Sequence, residues 1–122
     1  MLARADIARY ARHLLLPEIG QTGQERLLQS AVAFPSSGDA RALEVARDYL
    51  QRAGIAVRVG GEPAALPDAT MCRALASRAE LEEAAAALAG AFHAVEAIKR
   101  VLGLGEAATL SGSLLPAEEL AP

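Results

Sequence analysis

The sequence contains one cysteine, no tryptophan, two tyrosines and two phenylalanines among its 122 residues. Because a single cysteine cannot form an internal disulfide or a cysteine-based zinc site within one chain, we expect neither feature. The scarcity of aromatic side chains leaves few surfaces on which nucleic-acid bases can stack. A reducing cytoplasm is the compartment that fits this composition.

Positive charge is also limited. The chain has 12 basic and 15 acidic residues, and its net charge is -3. A protein that binds a phosphate backbone needs a cationic face, so we expect no nucleic-acid partner. No apolar run reaches the length of a signal peptide or a membrane span, so we expect no membrane association.

Small aliphatic residues take the place of the missing aromatic ones. Alanine occupies 29 positions, and hydrophobic residues make up 52% of the chain. A chain of this length is expected to form one domain, residues 1–122, around one core. That core should consist of leucine, valine, isoleucine and alanine.

Residues 1–30 predict a helical arm. Its first helix can be capped by Asp6 and ends at a proline and glycine turn. Thr22 and Glu25 form a capping box that predicts a second, short helix. The apolar positions of the first helix follow helical spacing; they are Ile7, Tyr10, Ala11 and Leu14.

Residues 31–62 predict a βαβ unit. Ala31 to Phe34 is a short apolar run typical of a buried strand, and Ile55 to Val59 predicts a second strand. Between them, Asp39 to Arg52 has helical periodicity, and Gly54 is the expected stop. A strand, helix and strand at this spacing predict a right-handed crossover and a parallel sheet.

We interpret residues 63–76 as a loop, although Thr70 to Ala76 fits either a short strand or a helical turn. Residues 106–122 are interpreted as a mobile tail. The tail is expected to be ordered only where Leu110, Leu114 and Leu115 find a groove.

The longest helix is predicted within residues 77–105. Ser77 and Glu80 form its capping box, and Gly103 stops it. The spacing of its apolar residues is close to a heptad repeat, so this face could pack either on the sheet or on a partner helix. The stripe consists of Leu81, Ala85, Leu88, Phe92, Val95, Ile98 or Lys99, and Leu102. The small residues from Ala84 to Ala91 would let another backbone approach closely.

Two blocks of the sequence resemble a known family. The first is RYARHLLLPEIGQTGQERLLQSAV, Arg9 to Val32, and the second is GAFHAVEAIKRVLGLGEA, Gly90 to Ala107. They are similar to the amino-terminal signature and the carboxy-terminal helix of the ThiF/MoeB/HesA group, the adenylyltransferases of ubiquitin-activating type. The resemblance covers these two blocks only and implies a degenerate, truncated relative. The fold it implies is α/β, a Rossmann-like remnant with a short parallel sheet, N-terminal helices and a long C-terminal helix.

The loop after the first strand departs from that family. The family's enzymes carry G-x-G-G-x-G there, because glycines let backbone amides approach the nucleotide phosphates. Here Pro35, Ser37 and Ala40 stand at three of the glycine positions, and proline has no amide proton to donate. We therefore expect no adenylation and no cofactor, with Ser37, Gly38 and Glu62 as vestigial candidates for nucleotide contacts.

Ordinary helix capping is the favoured interpretation of the same loop. Ser36, Ser37 and Gly38 could hold an anion through free backbone amides. Serine and aspartate are, however, the residues preferred at the N-cap of an ordinary helix. A reduced nucleotide or anion site is kept as the alternative.

Metal and cysteine chemistry are not expected. The resemblance implies that the family's zinc-binding C-x-x-C falls where this chain has Met71 and Ala74, so no metal should bind. A lone cysteine such as Cys72 is more often a small buried apolar residue than a sulfur-accepting nucleophile. His13 and His93 match no catalytic or metal spacing, so we expect surface or packing roles.

Four residues are candidates for an interface: Arg9, Arg12, Phe92 and Val95. In dimeric members of the resembled family, an arginine of the amino-terminal helix reaches the nucleotide in the other subunit, and the resemblance gives Arg12 that ancestry. A solvated arginine face is the ordinary alternative. A short parallel sheet is normally covered by helices on both faces, and this chain has few elements that could cover it.

A homodimer is the simplest way to cover such a sheet. A heterodimer with a full-length ThiF/MoeB-type enzyme, or with a ubiquitin-like sulfur carrier, is the second possibility. The predicted function is therefore a non-catalytic interaction or regulatory subunit. The alternatives are a reduced nucleotide or anion binder, or a partner subunit that completes an ATP-dependent adenylyltransferase of a sulfur-carrier pathway.

Overall fold

The computed structural model describes residues 1–60 and 68–114. In this part of the chain the elements are α1 (Arg4–Arg9), α2 (Ala11–Leu14), α3 (Gly20–Gln29), β1 (Ala31–Phe34), α4 (Ala40–Ala53), β2 (Ala56–Val59), α5 (Ala69–Ala76), a 3-10 turn (Ala79–Leu81) and α6 (Glu82–Leu102). The predicted α/β class is confirmed, with N-terminal helices, a short parallel sheet and a long C-terminal helix.

The two strands pair in parallel, as the βαβ pattern predicts. Ala31 lies opposite Ala56, and Phe34 lies opposite Val59. The crossover helix α4 begins after Asp39, which caps it, and ends at Gly54, whose φ of 99° is the left-handed conformation that glycine adopts readily. The second strand begins one residue later than predicted, after the buried Ile55.

The core lies where α4 and α6 meet the sheet. Its buried residues are Leu27, Val32, Phe34, Ala46, Leu50, Ile55, Ala94, Ala97 and Leu102. The small residues of α6 do admit a neighbouring backbone, as predicted, and that backbone belongs to α4 of the same chain, at Gly90. Close packing of two helices thus compensates for the lack of aromatic side chains in the core.

The predicted stripe of α6 is wrong at two positions. Leu88 is 43% exposed and Val95 is 46% exposed, whereas Ala86 and Ala89 on the other side of the helix are buried. The reason is the close approach of α4, because only small side chains fit between two backbones at that distance. Leu88 and Val95, two of the larger side chains of α6, therefore point outward.

The three predicted N-caps outside α4 are wrong. Asp6 lies in the first turn of α1, and Thr22 lies inside α3, which begins at Gly20. The backbone of the preceding turn satisfies the first amides of α3, since the Gly23 N–H donates to the Ile19 carbonyl at 2.8 Å. Ser77 ends α5 with a φ of 70° instead of opening the long helix.

The first helix of the arm is also interrupted. It breaks at Tyr10 into α1 and α2, and Tyr10 is the buried member of the predicted stripe. Ile7 is exposed, because α1 lies on the surface of the domain. Leu2 and Tyr10 are the buried side chains that hold this part of the arm.

Residues 69–76 form a helix, so the loop predicted for 63–76 is wrong over this part. Asp68 caps α5 by accepting a hydrogen bond from the Met71 N–H at 2.9 Å. The segment is apolar on one face, and burial of Cys72 and Leu75 stabilises the helix. Residues 63–67 lie outside the described residues.

Two of the three tail leucines occupy a groove, as predicted. Leu110 and Leu114 pack against the cluster formed by Leu75 and its neighbours on α5 and α6. The Leu114 N–H also donates to the Leu75 carbonyl at 2.9 Å. Leu115 lies outside the described residues. No helix in residues 1–60 or 68–114 is long and apolar enough to cross a membrane.

Candidate functional site

The loop between β1 and α4 is closed on itself by the carboxylate of Asp39. This side chain is buried and accepts hydrogen bonds from the backbone N–H groups of Arg41 at 2.9 Å and Ala42 at 3.2 Å. Just before it, the Gly38 N–H donates to the Pro35 carbonyl at 3.1 Å in a tight turn. The amides at the start of α4, which would face a phosphate in a nucleotide-binding loop, are thus bound to the protein's own carboxylate.

The Arg41 side chain holds this carboxylate in place. Its Nε and Nη2 donate to the two oxygens of Asp39 at 3.2 and 2.9 Å, the forked geometry that guanidinium groups favour. Its Nη1 lies 3.6 Å from a carboxylate oxygen of Glu82, the first residue of α6. The hydrogen bonds from Arg41 lower the pKa of Asp39, so the carboxylate remains ionised at neutral pH.

The structure describes two of the three residues predicted as vestigial nucleotide contacts, Ser37 and Gly38, and both lie in the turn before α4. Ser36 and Ser37 are exposed, and neither caps α4, because Asp39 does so. Gly38 contributes its amide to the turn with Pro35. The prediction for Glu62 lies outside the described residues. Capping, the favoured interpretation of this loop, is therefore confirmed, but the capping residue is the aspartate.

A second candidate surface is a shallow cationic depression on the N-terminal arm. Its volume is about 510 Å³, and its lining includes Arg9, Arg12 and Arg52 together with His13. Arg9 stacks over the Tyr10 ring with its guanidinium carbon 5.4 Å from the ring centroid. Arg52 pairs with Asp48 at 3.0 Å, whereas no carboxylate of residues 1–60 or 68–114 lies within 4 Å of Arg9 or Arg12. Two guanidinium groups of the arm are thus available to an acidic ligand.

Gln24, which the sequence did not single out, fixes the arm to the domain. It is fully buried, and its Nε2 donates to the Ala53 carbonyl at the end of α4 at 3.0 Å. Its Oε1 lies 2.9 Å from Nδ1 of His13, whose ring stacks on Tyr10. To predict this role from the sequence, one would have to know which polar residue of α3 faces the core. The one sequence signal is that Gln24 stands three residues before Leu27, which places both on the same face of a helix.

Cys72 and His93 line a small apolar cavity of about 200 Å³ between α5, α6 and the tail. Burial raises the pKa of the Cys72 thiol, and burial lowers the pKa of His93. Among the described residues no side chain forms a hydrogen bond with the thiol. A nucleophilic cysteine needs a lowered pKa, so this environment matches the expected packing role.

The four predicted interface residues lie in two places. Arg9 and Arg12 line the cationic depression, while Phe92 and Val95 lie on α6. Phe92 is half-buried with its ring against His93, and Val95 is exposed. Residues 1–60 and 68–114 contain no group of three histidine, cysteine or acidic side chains arranged to hold a metal ion.

The chain is similar to two kinds of adenylyltransferase/sulfurtransferase. It is 35% identical over 121 residues to the adenylyltransferase and sulfurtransferase MOCS3 of Bos taurus, which covers 98% of this chain and 25% of that protein. It is 39% identical over 54 residues to the "Probable adenylyltransferase/sulfurtransferase MoeZ" of Mycobacterium tuberculosis, which covers 44% of this chain and 13% of that one. No family model matches the chain, and no solved structure gives a significant match.

The chain therefore spans a quarter or less of the length of these relatives. The similarity supports a relationship to ThiF/MoeB-like proteins at low identity. The alignment with the bovine protein also extends through the middle of the chain, beyond the two blocks quoted above.

Proposed function

We propose that this chain is a non-catalytic relative of the ThiF/MoeB/HesA proteins and acts as an interaction or regulatory subunit. The observation that carries this proposal is the position of Asp39. Its ionised carboxylate occupies the amides at the start of α4 and would repel a phosphate placed there. Pro35 removes a further backbone donor from the same loop.

The partners proposed are a second copy of this chain, a full-length ThiF/MoeB-type enzyme or a ubiquitin-like sulfur carrier. Arg9 and Arg12 support contact with an acidic surface, because both line an exposed depression and no carboxylate of the described residues lies within 4 Å of either. Charges of this kind increase the rate of association and select the partner more than they add affinity. The relatives are named as adenylyltransferases and sulfurtransferases, and the proposed partners are therefore taken from such systems.

The thermal midpoint with and without millimolar magnesium-ATP tests the absence of a nucleotide site. Ligand at 100 times its dissociation constant stabilises a protein by roughly 2.7 kcal/mol, which moves the midpoint of a small domain by several degrees. We expect no shift for the wild-type protein. A shift of several degrees, or pyrophosphate release by the isolated chain, would overturn the proposal.

Capture from native lysate tests the interaction itself. Immobilised wild-type protein should retain a ThiF/MoeB-type enzyme or a ubiquitin-like carrier, and Arg12→Glu should lose it. Arg47→Glu is the matched control, since Arg47 is an exposed arginine of α4, outside the depression. Equal retention by the two variants would remove the arm from the interface.

A partner subunit of an adenylyltransferase is the second candidate. It is favoured by Arg12, whose guanidinium lines an exposed depression and has no carboxylate of the described residues within 4 Å, and by the similarity to MOCS3 along 98% of the chain. Pyrophosphate release that requires both this chain and a full-length enzyme, and that Arg12→Ala abolishes, would support this candidate over a purely regulatory subunit.

A further inference from the structure

A groove between α5 and α6 is occupied by the chain's own tail segment, residues 106–114. This segment forms neither a helix nor a strand, and its residues are exposed except for the half-buried Leu110 and Leu114. The two leucines pack against the cluster around Leu75, and the Leu114 N–H donates to the Leu75 carbonyl at 2.9 Å. The segment is therefore attached to the groove mainly by two apolar side chains four residues apart.

Further polar contacts of the segment use its backbone. The Nζ of Lys99 donates to the Glu106 carbonyl at 2.7 Å, and the Ala108 N–H donates to a carboxylate oxygen of Glu96 at 3.1 Å. Backbone N–H and C=O groups are present at every residue except proline, which lacks the N–H. Another chain that follows the same path can thus form these hydrogen bonds without having the same sequence.

The tail segment leaves space beneath it. Two mostly apolar cavities, of about 200 and 360 Å³, lie between the segment and the helices, with Leu110 at the edge of both. The segment covers them with small residues, Ser111 and Gly112 at the first and Ala107 and Ala108 at the second. An apolar cavity of about 150 Å³ is large enough to hold benzene. A phenyl ring therefore fits the first cavity, which the serine side chain leaves empty.

The rim of the groove is suited to more than one occupant. Met71 of α5 lines both cavities and is 56% exposed. Methionine is flexible and polarisable, and for this reason it recurs at surfaces that adapt to different ligands. His93 of α6 faces it across both cavities.

We propose that this groove binds an extended segment of a partner protein, and that residues 106–114 occupy it as an exchangeable intramolecular competitor. The partner segment has aliphatic side chains in the places of Leu110 and Leu114 and an aromatic side chain in the place of Ser111. Burial of that ring is what lets it compete with a segment that is already attached to the chain. The inference rests on the interaction role proposed above and names a second surface and the chemistry of its ligand.

A labelled synthetic peptide tests the ligand chemistry. The probe has the sequence of residues 105–114, GEAATLSGSL, with the change Ser111→Phe. Fluorescence anisotropy with the wild-type chain should show that it binds at least about tenfold more tightly than the unchanged peptide. The matched control is the same peptide with Ser113→Phe instead, since Ser113 lines neither cavity.

Weakening the attached segment tests the competition. Leu114→Ser in the chain should increase its affinity for the Ser111→Phe peptide several-fold, because the groove is then open for a larger fraction of the time. Glu106→Gln is the control, since the side chain of Glu106 is exposed and its contact with Lys99 uses the carbonyl.

A disulfide that closes the segment over the groove tests the site. The hydroxyl groups of Ser77 and Ser113 contact each other, so the pair Ser77→Cys and Ser113→Cys is close enough to be joined. The oxidised double variant should lose affinity for the Ser111→Phe peptide by more than about tenfold, and reduction should restore it. Ser77→Cys alone should bind the peptide equally well in both conditions, since Cys72 is buried.

Three results would overturn the inference: equal binding of the two phenylalanine peptides, no binding of the Ser111→Phe peptide to the Leu114→Ser chain, and binding that the disulfide leaves unchanged. Covalent dimers of the double variant would mean that the segment docks on a second copy, and the proposed partner is then wrong. Circular dichroism checks that each variant folds. Failure of the peptide to bind leaves the arm as an interaction surface, whereas a thermal shift with magnesium-ATP overturns the proposed function and leaves peptide binding intact.

Discussion

A Cβ atom on Gly90 would lie 2.3 Å from the carbonyl oxygen of Ala42. Gly90 lies on α6 and Ala42 on α4, and the obstacle is backbone, which cannot rotate away. The absence of a side chain at Gly90 therefore sets the distance between the two helices that form most of the core. It also decides which side of α6 is buried, and hence that Leu88 and Val95 face outward.

Gly90→Ala should destabilise the protein by about 1–3 kcal/mol or more, because the helices must separate and their contacts loosen. The measurement is urea-induced unfolding followed by circular dichroism. Gly23→Ala in α3 is the matched control: its added Cβ would meet the side chains of Ile19 and Leu102 at 3.2 Å, and these can adjust. The control should change stability by less than about 1 kcal/mol, since improved helix propensity offsets the crowding. Equal effects of the two substitutions would contradict the role assigned to Gly90.

Asp39→Ala should cost about 1–2 kcal/mol, because it removes the cap from the first amides of α4. Asp39→Asn retains an acceptor oxygen and should cost less than Asp39→Ala. Asp48→Ala is the control, since Asp48 forms an exposed pair with Arg52 that is worth little. Thermal and urea unfolding of the three variants would show this order, and a cost for Asp48→Ala as large as that for Asp39→Ala would contradict it.

The stabilisation from Asp39 should disappear in acid. Its pKa in the folded protein is lowered, chiefly by the hydrogen bonds from Arg41, relative to an unfolded value of about 3.9. Because the unfolded chain binds the proton more readily, the contribution of Asp39 is fully present above that value and is lost as the pH falls through the folded pKa. The difference in the free energy of unfolding between wild type and Asp39→Asn should therefore stay constant above about pH 5 and shrink as the pH falls below about 4. A difference independent of pH would show that the charge does not contribute.

Gln24→Leu should destabilise the protein by about 1–3 kcal/mol, because the Ala53 carbonyl at the buried end of α4 loses its donor. The same change also removes the contact with His13, so the arm should exchange its amide hydrogens faster than in the wild type. Gln21→Leu is the control on the same helix, since Gln21 is exposed and bonds only to Glu25. Unchanged stability of Gln24→Leu would contradict the role assigned to Gln24.

The βαβ unit and its boundaries could be predicted from the sequence because the signals are local. Asp39 before an apolar period of α4, Gly54 after it and short apolar runs on both sides specify strand, helix and strand without reference to the rest of the chain. The same applies to Gly103, which ends α6 in a left-handed conformation as expected.

The N-caps of α3 and α6 could not be predicted in the same way. A serine or threonine followed by glutamate has the composition of a capping box, but the cap forms only where the helix begins. The start of α3 is decided by the Leu16 and Ile19 carbonyls of the preceding turn. The path of Ser77 is decided by the end of α5, a helix that the sequence left ambiguous because its eight residues are stabilised by burial against α6.

The sequence by itself determined the fold class, the resemblance to ThiF/MoeB-type proteins and the loss of the glycine loop, since each depends on residue types at fixed spacing along the chain. The tertiary structure decided that Asp39 fills the start of α4, that Gln24 ties the arm to the domain and that α6 turns its leucine and valine outward. These outcomes depend on which backbones approach each other in space. A close approach such as that of Ala42 and Gly90, between residues far apart in the chain, has no signature in local periodicity.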